Sequence, residues 1–439
     1  MIVKGTMKFY STNNRETRVT LEEAVTMGLA PDNGLFMPEE IPQLPAGFFA
    51  HIADRSFSAN AFIVARNLLG DSIPENELKE IVDHTIQFDA PLVPIEYDVS
   101  ALELFHGPTM AFKDFGARFM SQVLGYFARK QDREIIILVA TSGDTGSAVA
   151  NGFLGVDGTR VVVLYPSGKV SDIQEKQFTT LGKNITALEV SGTFDDCQRL
   201  VKQAFLDAEL RDKFFLTSAN SINIARLIPQ SFYYFHAWAQ LKDRSRKVVF
   251  SVPSGNFGNL TAGLLAWRMG LPVDHFVAAT NINDVVPEYL QTKIFKPRDS
   301  TATISNAMDV GHPSNFVRML DLFDNDYEKL NSLVTGYGFT DEETRAAMQR
   351  VSRDRNYVLD PHGAVAYLGL RRYLEEHPGV QGIFLETAHP AKFKETVDQT
   401  LKTEIQIPER LAQFISMEKK TFPMKNSFAD LKTFLSESF

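Results

Sequence analysis

Along this chain, short continuous apolar runs alternate with longer segments whose apolar residues recur every three or four positions. The runs at Glu134 to Ala140, Val161 to Tyr165, Ile185 to Val190, Lys247 to Val252 and Gly382 to Glu386 read as strands buried on both faces. Helical periodicity follows them at Ala148 to Phe153, Val170 to Leu181, Phe194 to Leu206 and Leu260 to Met269. Strand followed by helix, repeated, predicts parallel βαβ units with right-handed crossovers, so the fold class is α/β. Near the N-terminus the pattern is a short strand at Phe9, a helix starting around Thr20, an ordered Gly/Pro-rich loop from Gly28 to Pro38, and helices at Ala59 to Leu69 and Glu75 to Thr85. Asn281 to Ser314 is loop-rich. Leu320 to Arg353 reads as two charged helices covering a sheet, Asp360-Pro361 opens another helix, and Phe414 to Phe439 is a helical tail.

At 439 residues the chain exceeds what one core supports, so several lobes around a cleft are expected. The pattern divides it into a mostly helical N-terminal lobe (1–92), a small α/β domain (125–245), and a large α/β domain formed by 93–124 and 246–439. A hydrophobic fraction of 44% with 23% charged residues is that of a globular enzyme. No apolar run reaches the roughly 20 residues of a membrane helix. The net charge of −9, without a basic block, argues against nucleic acid as a partner. A single cysteine, Cys197, on a helical pattern with no second ligand nearby, reads as structural; with no signal-peptide pattern in the first residues, it points to the cytoplasm.

Chemistry concentrates in four stretches. After the Gly107-Pro108 turn, the run Ala111 to Tyr126 has helical spacing, which puts Lys113 in the first turn. A helix dipole disfavours a cation there and lowers the amine's pKa, making Lys113 a candidate nucleophile or Schiff-base former; a surface lysine with its stem over Phe115 is the plainer reading. Thr141-Ser142-Gly143-Asp144-Thr145-Gly146 joins a strand to a helix and is an anion site by construction, with Asp144 or Thr145 as the alternative helix N-cap. Gly255-Asn256-Phe257-Gly258-Asn259 lies between a strand and an apolar helix, where glycines let amides close on a phosphate; no Walker lysine follows. Asn220-Ser221-Ile222-Asn223-Ile224-Ala225-Arg226 is a capping cluster or an anion site with Arg226 as its guanidinium. His312, between Gly and Pro, is a cleft wall or an ordinary loop histidine, and Thr387 lies past a strand's carboxyl end, where ligands of parallel sheets sit.

The run His106 to Phe115 closely resembles the cofactor-lysine segment of the threonine synthase family, pyridoxal-phosphate enzymes of the tryptophan-synthase-β-like fold (fold type II). Gly28-Leu29-Ala30-Pro31-Asp32-Asn33-Gly34-Leu35-Phe36-Met37-Pro38 is similar to that family's N-terminal signature, and the Gly255 to Asn259 and Asn220 to Arg226 stretches resemble two more of its segments. The resemblance implies two parallel-sheet domains around a cleft, the larger binding pyridoxal 5'-phosphate. It implies conversion of O-phospho-L-homoserine and water to L-threonine and phosphate by γ-elimination and β-addition, a lyase reaction without a metal, in a monomer or homodimer. Lys113 would hold the cofactor and act in catalysis, Gly255, Asn256, Phe257, Gly258 and Asn259 would hold its phosphate, and Thr387 would meet the pyridine nitrogen. Thr109, Ser142, Gly143, Asp144, Thr145, Ser221, Asn223 and Arg226 would serve the substrate. Asp144 stands where many fold relatives carry Asn, and the sequence leaves open whether it faces the cofactor or caps its helix. A dehydratase or cysteine synthase of the same fold is the nearest rival, disfavoured by the N-terminal signature. A non-catalytic phosphate-binding protein leaves Lys113 unexplained.

Overall fold

A computed structural model describes residues 5–129 and 134–439. Two sheets organise it. The larger has six strands in the order Val334–Gly338, His275–Thr280, Val248–Pro253, Gln381–Glu386, Val99–Glu103, Leu92–Glu96, all parallel except the last, which closes an antiparallel hairpin. The smaller has five parallel strands in the order Phe422–Lys425, Ile185–Ser191, Thr159–Pro166, Ile135–Ala140, Phe215–Ser218. Its interior strand Ile135–Ala140 is buried at every position, as a strand covered by helices on both faces must be.

The N-terminal lobe forms as its capping chemistry dictates. Thr20 and Glu23 make a reciprocal capping box at the helix Leu21–Met27, and Ser56 caps Phe57–Leu69. Thr20 to Pro38 then returns as the strand Phe36–Pro38, antiparallel to Phe9–Ser11.

The helix Lys113–Ala128 lies between the lobes. Phe115, Phe119, Met120 and Val123 are buried in the largest apolar cluster, and each such side chain contributes about 1.5–3 kcal/mol. Gly152 has the Ala117 carbonyl carbon 3.0 Å from where a Cβ would stand, so the helix Asp144–Phe153 packs directly on this one.

Three expectations are corrected. The tail is not wholly helical: Phe422–Lys425 pairs with Ile185–Ser191 and the helix Phe428–Ser438 covers the same cluster, so the end of 246–439 belongs to the small sheet. Leu320 to Arg353 contains a strand, Val334–Gly338, between its helices. The stretch around Pro91 to Asp98 leads from the N-terminal helices into an antiparallel hairpin at the edge of the large sheet. The aromatic helix after Arg226 is interrupted by a 3-10 turn at Ile228–Ser231, where Pro229 has no N–H to continue the ladder. Cys197 is buried in the helix Phe194–Leu206, and burial pushes its thiol up to about 12, so it is chemically quiet.

Candidate active site

Three neighbouring strands of the large sheet carry the candidate residues at their carboxyl ends. Val248–Pro253 leads into Gly255 to Asn259, Gln381–Glu386 into Thr387, and Val99–Glu103 into the Lys113 segment. The last two are stitched together beyond the sheet: Phe112 N–H donates to the Thr387 carbonyl at 2.8 Å, His389 N–H donates to the Met110 carbonyl at 3.1 Å, and Ala111 bridges Ala388.

Lys113 is the first residue of its helix, and no side chain caps that end. The preceding turn is held by Asp114, whose carboxylate accepts from Thr109 N–H at 2.9 Å and Thr109 Oγ1–H at 2.6 Å. Gly107 is required there, because a Cβ would stand 2.4 Å from Asp114 Oδ2. Thr109 is therefore fully buried and spends its hydroxyl on Asp114, while its carbonyl accepts from Lys392 Nζ at 2.7 Å and Gln177 Nε2 at 3.1 Å. As a substrate contact Thr109 is withdrawn; it shapes the turn.

Asp144 answers the question left by the sequence. Gly143, at φ 143°, is the N-cap of Asp144–Phe153, and neither Asp144 nor Thr145 caps it. Asp144 instead faces the lysines: Oδ1 accepts from Lys392 Nζ at 2.7 Å and from Gln174 Nε2 at 2.8 Å, and Oδ2 lies 3.9 Å from Lys113 Nζ. Burial alone would raise its pKa, but the two lysines overcome that and hold the carboxyl well below the usual range. Lys113 is shifted down, first by burial and then by Lys392 and Arg226, with Asp144 opposing. Thr141 Oγ1 accepts from the N–H groups of Gly143 and Gly146 at 2.9 and 2.8 Å, which leaves the half-buried hydroxyls of Ser142 and Thr145 without a partner among the described residues.

At the phosphate loop, the N–H groups of Gly255, Asn256, Phe257, Gly258 and Asn259 donate to no acceptor among the described residues. Phe257 is in the left-handed region, which turns the chain so that the helix Gly258–Arg268 begins there. The space in front of Gly258 is open: a Cβ would meet nothing nearer than Asn315 Nδ2 at 3.5 Å and Ser221 Cβ at 3.8 Å. Five free donors, a helix N-terminus and an unfilled cradle fit the phosphate of pyridoxal phosphate. Thr387 is buried, and its hydroxyl, unpartnered among the described residues, fits the pyridine nitrogen.

Arg226 is 3% exposed and makes no ion pair among the described residues. Its Nη1 donates to the Ala219 carbonyl at 2.6 Å, and its Nε is buried without an acceptor. It packs against the Lys113 helix, with Nε 2.7 Å from where a Gly116 Cβ would stand. Burial pushes it down to about 10 against the opposing field of Asp114. Asn223, grouped with it from sequence, is committed elsewhere: Oδ1 caps Ile224–Leu227, and Nδ2 donates to the Val25 carbonyl at 2.8 Å and the Ser218 carbonyl at 3.3 Å. It ties the turn to the N-terminal lobe and is withdrawn as a substrate contact.

Sequence reasoning missed the residues that join these loops. Asn315 N–H donates to the Asn256 carbonyl at 3.2 Å, and its Nδ2 meets Ser221 Oγ at 3.4 Å. Arg318, fully buried, donates to Asn315 Oδ1 at 2.8 Å and to the carbonyls of Ile222 and Phe36 at 2.7 and 2.9 Å. An Asn at the N-cap of the helix Phe316–Leu322 and an Arg three residues on was the available signal. His312 is exposed.

Comparison with known proteins places this arrangement. Residues 93–383 match the model of the "Pyridoxal-phosphate dependent enzyme" family, 8–86 the "Threonine synthase N terminus" and 363–435 "Threonine synthase, C-terminal". The chain belongs to the threonine synthase family. It is 46% identical to the threonine synthase of Serratia marcescens over 98% of this chain and 99% of that one, and 46% identical to that of Escherichia coli over 97% and 98%. Its structure resembles the crystal structure of Escherichia coli threonine synthase with a TM-score of 0.92 at 44% identity, covering 99% and 100% of the two chains. The pyridoxal-phosphate-bound threonine synthase of Brucella melitensis also superposes with a TM-score of 0.92, at 33% identity, over 98% and 99%. A tomato threonine deaminase, 14% identical with a TM-score of 0.56 over 81% of this chain and 89% of that one, shares the fold. The fold-type-II architecture read from the sequence is thus that of the family. No helix among the described residues is long and apolar enough to cross a membrane.

Proposed function

We propose that this chain converts O-phospho-L-homoserine and water to L-threonine and phosphate, the final step of threonine biosynthesis. A Cβ proton is lost as the Cγ–O bond of the substrate breaks and phosphate leaves, and the elements of water are then added, hydroxyl to Cβ and proton to Cγ. Bound pyridoxal phosphate supplies an electron sink for the charge that develops next to the substrate amine. The rest is the work of the protein. Lys113 carries the cofactor, and its amine moves protons at Cα and the neighbouring carbons. The amides of Gly255 to Asn259 hold the cofactor phosphate. Thr387 offers the pyridine nitrogen a neutral hydroxyl, which does not fix a proton there as a carboxylate would. The hydroxyls of Ser142 and Thr145 offer donors to the substrate carboxylate, Gly143, its N–H spent on Thr141 Oγ1, shapes their turn, and Ser221, beside Gly258, lines the same cleft.

The observation that carries the choice of substrate is Arg226. A buried guanidinium without a carboxylate partner, packed on the Lys113 helix, is costly unless an anion completes it, and a substrate phosphate is such an anion. The test is a reaction in ¹⁸O-water with O-phospho-L-homoserine: threonine and phosphate should appear one to one, with the label in the threonine hydroxyl. Label in the phosphate, or 2-oxobutanoate in place of threonine, would overturn the assignment. The single buried cysteine supports a cytoplasmic setting. A monomer or homodimer is proposed alongside, each chain carrying its own Lys113 site.

A further inference from the structure

Two lysines share one buried carboxylate at this site, and the sharing is unequal. Lys392 Nζ is 2.7 Å from Asp144 Oδ1, with no exposed side-chain surface, whereas Lys113 Nζ is 3.9 Å from Oδ2 with its side chain 18% exposed. Lys392 is aimed by two fixed acceptors, the Asp144 carboxylate and the Thr109 carbonyl, the latter 2.7 Å away. It sits on the 3-10 turn Pro390–Phe393, just beyond Thr387 and the strand Gln381–Glu386 that leads into it. Asp144 is in turn steadied by Gln174, itself fixed by Ser171 Oγ–H at 2.9 Å. The carboxylate is thus held at hydrogen-bond distance from one lysine and beyond it from the other.

We propose that Lys392 is a positioning residue that clamps the Asp144 carboxylate away from Lys113, so that Lys113 faces a neutralised pair rather than a free carboxylate and its amine stays available to the cofactor. This rests on the reading of Lys113 as the cofactor lysine. The charged groups facing Lys113 are few. From the helix Asp144–Phe153 comes Asp144, from the 3-10 turn Lys392, and from the turn before Ile228 comes Arg226; on its own helix, Asp114 is turned toward Thr109. Asp144 is the sole member of this set that favours the lysine's charged form; Lys392 and Arg226 oppose it, as burial does. Without Lys392 the carboxylate loses its nearest cation, and Lys113 becomes its natural partner. Without Asp144, Lys113 is left beside two cations. A buried ion pair that merely held the Thr109 turn in place would have no such effect on Lys113.

The pH dependence of cofactor attachment separates these cases. The full-length chain is stripped of cofactor, pyridoxal phosphate is added, and the attachment rate is followed by absorbance from pH 6 to pH 10, with thermal melts as controls. Lys113→Ala must abolish attachment in every background; if it does not, the reading of Lys113 fails, whatever Lys392 does. Granted that, Lys392→Met should move the midpoint upward by about one pH unit or more. Asp144→Asn should move it downward, and Lys392→Met with Asp144→Asn together should lie between the two singles. Should Lys392→Met fail to fold because Asp144 is left unpaired, the Asp144→Asn shift decides. An unmoved midpoint in folded Lys392→Met or in Asp144→Asn, or a downward shift in Lys392→Met, overturns the proposal.

Discussion

Asp114 accepts two hydrogen bonds from Thr109, one from the backbone at 2.9 Å and one from the hydroxyl at 2.6 Å, and thereby closes the turn that places Lys113 at its helix start. Both residues are buried, so the contact has no competing water. Asp114→Ala should strand two buried donors at about 1–3 kcal/mol each. The expected outcome is a lower melting temperature together with slower cofactor attachment, since the turn and the lysine are one unit. A variant that melts lower but attaches cofactor at the wild-type rate would show that the turn does not position Lys113.

Gly258 is a test of the phosphate seat that leaves the fold alone. A Cβ there finds open space, and the residue does not use positive φ, so Gly258→Ala should melt like the wild type. The added methyl should instead crowd the anion and weaken cofactor binding by the order of one charge-assisted hydrogen bond, about 1.5–3 kcal/mol. Equilibrium dialysis of the cofactor reads this directly. Unchanged affinity would place the phosphate elsewhere.

Arg226→Ala should lower kcat/KM for O-phospho-L-homoserine by about 2–4 kcal/mol, with the cofactor spectrum intact. Arg226→Lys should recover little, because an ammonium on a flexible stem cannot replace a forked donor. If Arg226→Ala retains full activity, or unfolds and loses cofactor, the guanidinium holds the Ala219 turn and no substrate.

Acid stability depends on two neutral histidines. Burial, with a smaller contribution from His377, pushes His275 from its usual 6.5 to about 4, and burial likewise pushes His389 to about 4. Between pH 6.5 and pH 4 the unfolded chain therefore binds protons that the folded chain refuses, so stability is full above pH 6.5 and falls as pH drops. For His275, with 9% of its surface exposed, the loss is at most about 3 kcal/mol. Melting temperatures of wild type and His275→Gln at pH 7 and pH 4.5 should show a smaller acid loss in the variant. Equal losses would mean that His275 is not held neutral.

Much of this was legible because chemistry and periodicity lay in contiguous stretches. The strands at Ile135–Ala140, Thr159–Pro166 and Val248–Pro253 are unbroken apolar runs, and parallel strands covered on both faces have no other composition available. Several strands went unread: Val99–Glu103 and His275–Thr280 are short runs inside the large sheet, and three others lie at sheet edges. Val334–Gly338 carries two glycines at one edge of its sheet, Leu92–Glu96 carries Pro94 at the other, and Phe422–Lys425 is four residues long with Pro423 on an edge. At the site, Lys113 and the Gly255 to Asn259 loop announce themselves locally. Lys392 and Arg318 do not, since their meaning comes from partners such as Asp144, Thr109 and Phe36, which are more than 200 residues away in sequence. Asn223 misled for the same reason: its polar side chain is consumed by the Val25 carbonyl, a contact only the fold creates.

The chemistry of this site depends on the attachment of pyridoxal phosphate to Lys113. The purified protein is reduced with borohydride, digested, and its peptides are mapped by mass spectrometry. The cofactor mass should be found on the peptide containing Lys113 and be absent from Lys113→Ala, which should also lack visible absorbance and turnover. Cofactor mass on Lys392, or turnover by a folded Lys113→Ala protein, would contradict it.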